Sequence, residues 1–135
     1  MNFAIYFFLL YLTLSFGYAY GYGEISVSDF KIVNTLGDEI NSPVVEQQLN
    51  LQTSLTNISD QNIDWVYIAQ IIDADGAIVD LSFSTGSLVK NQTLTAALFW
   101  IPHKDGIYKI ETFVWNNLRD IDALAPKSTF TITIT

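Results

Sequence analysis

The sequence predicts an all-β domain, a seven-stranded antiparallel β-sandwich, and three observations carry that reading. After Gly23 the apolar residues recur with a period of two nearly everywhere, as half-buried strands require. Clusters of Asn, Asp, Gly and Pro interrupt the pattern at short, regular intervals. Outside the N-terminal segment no stretch holds a helical period.

Taken in order, the chain begins with MNFAIYFFLLYLTLSFGYAYGYG, which carries no charged side chain. Its run from Phe3 to Phe16 suits the apolar region of a signal peptide, and Gly17, Ala19 and Gly21 offer a small-x-small cleavage site. The same stretch, at about 1.5 Å per residue, is long enough to cross ~30 Å of hydrocarbon. Residues 1–21 are therefore expected to form an apolar export or anchor helix, with a buried first strand as a third reading. Residues 22–135 are expected to form the sandwich domain, in the cell envelope or outside the cell.

The first strand is the weak run from Ile25 to Val33. In the second, Leu49, Leu51, Thr53 and Leu55 face one way and Asn50, Gln52, Ser54 and Thr56 the other. The third, Ile63 to Ile72, is apolar on both faces and reads as a central strand covered on both sides. Val79, Leu81 and Phe83 mark the fourth, with a turn expected from Thr85 to Gln92. Leu94, Ala96, Leu98 and Trp100 mark the fifth, and Tyr108, Ile110, Thr112 and Val114 the sixth. Phe130, Ile132 and Ile134 mark the last, with the β-branched Thr that suits an exposed strand face between them.

Composition excludes some functions. Fourteen acidic residues stand against six Lys and Arg, giving a net charge of −8 that repels phosphate backbones and anionic headgroups. A nucleic-acid partner has no electrostatic support, and a membrane is expected only through the N-terminal segment. The absence of cysteine excludes thiol chemistry and Cys-based metal sites.

Four positions fill the slots of an immunoglobulin-type core. Leu51 lies in the second strand, Trp65 in the third, and Tyr108 two residues before Ile110 in the sixth. Leu51 and Ile110 stand where a disulfide would join the sheets, and burial stabilises by about 1.5–3 kcal/mol for each such side chain. With these residues the chain resembles the disulfide-free immunoglobulin-like or fibronectin-like modules of exported prokaryotic proteins. The stretches WVYIAQIIDADGAIVDLSFSTGSL and LFWIPHKDGIYKIETFVW are similar to short secreted proteins of ammonia-oxidising archaea. The resemblance implies envelope localisation and binding or adhesion to a cell-surface protein or glycan. Lys104 departs from it, standing where many immunoglobulin domains carry an acid.

Few residues point to chemistry. DADG at 73–76 suits a hairpin turn with Gly76 at positive φ, since the calcium-loop spacing fails at Ser82. Strand parity nevertheless gathers Asp38, Asp73, Asp75 and Asp105 at one end, the oxygen-only set that a Ca²⁺ site would use. His103 is the single histidine and has no evident orienting acid, so neither a zinc site nor a hydrolytic triad is expected. Trp115, beside two asparagines at a strand end, is the candidate platform for stacking on a sugar. Asn57 and Asn91 open N-glycosylation sequons at loop edges, at the end that also holds the start of the first strand.

Intact mass of the native protein settles the fate of the N-terminus. The expected mass starts at Tyr20 or Tyr22; retention of Met1 with solubility only in detergent identifies a tether. An unprocessed protein recovered from the cytoplasm without detergent overturns export.

Overall fold

The computed structural model describes residues 23–135, so the proposed export or anchor segment lies outside the described residues. Seven strands follow one another: β1 (Ile25–Val33), β2 (Leu49–Asn57), β3 (Ile63–Ile72), β4 (Ile78–Leu88), β5 (Thr93–Trp100), β6 (Gly106–Trp115) and β7 (Ser128–Ile134). They form a three-stranded sheet, β1-β2-β5, and a four-stranded sheet, β4-β3-β6-β7, with every pairing antiparallel. β4 stays on β3 because the 73–77 hairpin joins them directly, with Asp73 N–H donating to Ala77 O.

The inner faces meet in one apolar cluster. Leu51 and Ile110 are fully buried, and Trp65 and Tyr108 join them from β3 and β6. Trp100 packs edge-on against Tyr108, centroids 5.0 Å apart at 70°, and the Tyr108 hydroxyl donates to Lys104 O at 2.7 Å. That bond uses the backbone carbonyl, so the Lys104 side chain does not disturb the corner.

Two features depart from the sequence reading. β4 continues through Thr85 and Gly86 to Leu88 where a turn was expected. Gly86 lies opposite Trp65, and a Cβ placed on it would stand 2.6 Å from Trp65 Cζ2 and 2.9 Å from Cε2. The glycine is there to admit the indole, not to turn the chain. The second departure concerns β3, expected to be covered on both sides. Among the described residues no layer lies over the outer face of its sheet, yet Val66 and Ile68 on that face are buried.

The contact between Trp65 and Gly86 can be tested by a double-mutant cycle. Trp65→Ala is expected to cost about 3–5 kcal/mol, and Gly86→Ala about 1–3 kcal/mol through overpacking. In the Trp65→Ala background the cost of Gly86→Ala should fall close to zero, read by denaturant unfolding. Strict additivity would place the strain elsewhere.

Candidate functional site

The turns are organised by Asn and Asp side chains, which mimic a backbone turn by accepting from amides further along. Asn34 Oδ1 accepts from Leu36 N–H and Asp38 N–H, both at 2.9 Å. Asp73 Oδ1 does the same for Asp75 and Ala77. Asn116 Oδ1 takes the amides of Asn117 and Asp122, and Asn117 Oδ1 those of Arg119 and Asp120.

Asn57 is the most heavily used of them. Its Nδ2 donates to Gln61 O at 2.7 Å and Leu88 O at 3.0 Å, while its Oδ1 accepts from the amide and hydroxyl of Ser59. Its backbone N–H donates to Gln92 O and its carbonyl accepts from Asn91 N–H. The side chain is fully buried. The sequence reading put this sequon at a loop edge; the nitrogen that would carry a glycan instead spends both hydrogens tying the 58–61 turn to the end of β4. Asn91 is exposed, at φ 65°.

The acidic turns share one end of the sandwich with His103. Asp38, Asp75 and Asp105 are exposed, and Asp73 Oδ1 is engaged in its own turn. Among the described residues, no group of three or more His, Cys, Asp and Glu side chains is placed to hold a metal ion. His103 Nδ1 lies 3.1 Å from Glu46 Oε1 in an exposed pair.

The outer face of the four-stranded sheet presents several large apolar side chains side by side. β3–β4 register sets Phe83 beside Ile68 and Leu81 beside Gln70; β3–β6 register sets Phe113 beside Ile68 and Trp115 beside Val66. Ile68 thus lies between two phenylalanines, which shield it in place of a covering layer. Phe83 and Leu81 keep 57% and 63% of their surface in solvent, far more than an isolated domain needs to expose on one strand. Trp115 is half-buried, its ring tilted 51° from Phe113 at 5.5 Å, so the two rings do not form a flat platform. At the rim Glu111 is buried and bridges Lys127 at 2.9 Å and Lys109 at 3.4 Å. The Lys127 ammonium, seconded by Lys109, holds that carboxyl below the usual carboxylate range against the opposing effect of burial.

A second surface escaped the sequence reading. On β4 the usual pattern is reversed, with Val79, Leu81 and Phe83 outward and Asp80, Ser82, Ser84 and Gly86 inward, half-exposed opposite the buried Ile71, Ala69, Tyr67 and Trp65. The signal was present as small and polar residues at alternate positions from 80 to 86. Only the register of β4 on β3 shows that they face in.

No protein-family model matches the sequence, and no curated protein matches it. Solved structures do. The C-terminal domain of Wzt aligns with a TM-score of 0.71 at 15% identity, over 86% of this chain and 76% of that one. The CARDB domain of the Pyrococcus furiosus PF1109 protein, in complex with di-metal ions, aligns at 0.55 and 15%, over 82% and 87%. A β-glucuronidase of glycoside hydrolase family 2 aligns at 0.61 and 15%, over 78% of this chain but 11% of that one. At such identities the likeness shows the fold, an immunoglobulin-like all-β sandwich.

Asn57 should be indispensable to that fold. Asn57→Asp keeps the shape but removes the donors to two carbonyls, and with charge brought in it is expected to cost about 2–5 kcal/mol in denaturant unfolding. A loss below about 0.5 kcal/mol would show the four side-chain bonds to be dispensable.

Proposed function

We propose that the protein is a non-enzymatic, exported module of the cell envelope that works by adhesion-type contact, docking a partner protein on the outer face of β4-β3-β6. The observation that carries this reading is the exposed run of Val79, Leu81 and Phe83 continuing into Phe113 and Trp115. Large contiguous apolar patches on soluble domains mark interaction sites.

The chemistry of the face favours protein over glycan. Its centre is apolar, and its nearest charges are already engaged: Glu111 by Lys109 and Lys127, Asp64 by the Ser87 hydroxyl. A sugar stacks on an open, flat ring, whereas Trp115 is half-buried and tilted against Phe113. An apolar partner surface loses no hydrogen bonds there and gains the burial of two large, exposed side chains, Leu81 and Phe83.

The test is binding of the purified domain to envelopes of the source cells. Binding should be lost after protease treatment, survive periodate, and fall at least ~10-fold in Leu81→Lys/Phe83→Lys, two exposed positions whose change leaves the core intact. Sensitivity to periodate together with loss in Trp115→Ala would shift the reading to a sugar platform. Full binding by the double variant would overturn the proposed face.

A further inference from the structure

Two sequons lie at one end of the sandwich, and the fold treats them in opposite ways. Asn57-Ile58-Ser59 starts on the last residue of β2, and Asn91-Gln92-Thr93 runs from the 89–92 turn into the first residue of β5. An N-glycan is carried by the asparagine Nδ2 of an Asn-x-Ser/Thr triplet and is bulky and hydrated, so the site needs a free carboxamide and open space.

Asn57 has neither. Its side chain is fully buried, and both Nδ2 hydrogens are given to carbonyls, those of Gln61 and Leu88. The hydroxyl of the same sequon, on Ser59, is bonded to Asn57 Oδ1. A glycan placed on Asn57 before folding would take one of those hydrogens and set a sugar where the 58–61 turn meets the end of β4, so the network could not close. Either order of events, folding first or transfer first, keeps a glycan at Asn57 out of the folded protein.

Asn91 has both. Asn91, Gln92 and Thr93 are all exposed. The turn is closed without the Asn91 side chain: Gln92 N–H donates to Val89 O at 3.1 Å, Gln92 Oε1 accepts from Val89 N–H at 3.0 Å, and the Asn91 backbone N–H donates to Asn57 O. The φ of 65° at Asn91 is left-handed, a conformation that asparagine tolerates better than most residues. The carboxamide can therefore take a substituent without giving up a bond that holds the turn. Phe83 precedes Leu88, the end of β4, by five residues, about 16 Å along the strand, so the attachment point stands clear of the docking face.

We propose that Asn91 is the N-glycan attachment site of this protein and its sole occupied sequon. In the transfer, Asn91 Nδ2 attacks the anomeric carbon of an oligosaccharide carried on a lipid phosphate. The C–N bond forms as the bond from that carbon to the phosphate oxygen breaks; Nδ2 releases one hydrogen as a proton, and the lipid phosphate leaves with the electron pair. Donor and transferring enzyme belong to the membrane that the chain crosses, so the proposal rests on the exported reading above. The glycan sits at the start of β5, an edge strand paired only with β2 and without a charged residue of its own to discourage pairing with another chain.

The test uses the native protein, isolated from envelopes of the source cells and mapped by mass spectrometry of its tryptic peptides. Cleavage after Lys90 separates the two sequons. The expected result is a glycan mass on the peptide holding Asn91 and none on the peptide holding Asn57. Asn91→Gln and Thr93→Val, expressed in the same cells, should each abolish that mass completely. Thr93→Val keeps the asparagine suited to the left-handed turn and gives up only the surface bond to Thr56, so it reports if Asn91→Gln does not fold. An envelope protein with no glycan at Asn91 overturns the proposal and leaves export standing, whereas an unprocessed protein found in the cytoplasm overturns both. A glycan on Asn57 of the folded protein, or a glycan on the Asn91 peptide that survives both variants, overturns it as well.

Discussion

The contact between the Trp65 indole and Gly86 governs more of this molecule than any other. It fixes the register of β4 on β3, because the next residue in either direction, Thr85 or Ser87, would put a Cβ where the indole lies. Since side chains alternate across a strand, a slip of one position would turn every β4 residue to the other face. Leu81 and Phe83 would then enter the core and Asp80 would leave it. The register held by one glycine therefore produces both unusual surfaces, the apolar face outside and the polar strip inside.

Cross-linking is absent, and the molecule compensates in two ways. Between the sheets, Leu51, Trp65, Tyr108 and Ile110 join one apolar cluster, so inter-sheet adhesion rests on burial and close packing. At the ends of the sheets, Asx side chains do what short covalent links would do elsewhere, holding each long turn to the strand it leaves. Asn57 is the extreme case, reaching the 58–61 turn, the end of β4 and the 89–92 turn from one position. Its amide nitrogen is thereby committed to structure, and of the two sequons only the one at Asn91 presents its side chain to solvent.

All seven strands were legible in the sequence, because period-two alternation is a direct consequence of one face being buried. The four core slots were legible for the same reason, through fixed spacing within strands. What was not legible depended on contacts between strands. Gly86 reads as a turn former until the indole opposite is seen, and Asn57 reads as a loop residue until its side-chain partners, up to 31 residues away, close around it. Likewise Val66 and Ile68 looked like evidence of a second covering layer, whereas Phe83, Phe113 and Trp115 on neighbouring strands shield them. Neighbour identity across a sheet is invisible to a one-dimensional pattern.

β4 departs from the rule that edge strands hide apolar side chains and show polar ones. One device it does retain is Asp80, a charge pointing inward on the edge, which disfavours pairing with a further strand since the new neighbour would have to accommodate a carboxylate beside its core face. The retained charge and the exposed apolar stripe are therefore compatible: a strand that resists edge-to-edge pairing can still present Leu81 and Phe83 from its face without recruiting other chains into the sheet. Contact by the face leaves the partner's own backbone hydrogen bonds undisturbed, so association there costs little ordering and can be reversible. A stripe of this kind on a central strand would be flanked on both sides and less able to fit a partner's contour; on the edge it has one free side. The placement of the apolar stripe and the inward acid on the same strand is thus a consistent arrangement for docking without polymerising.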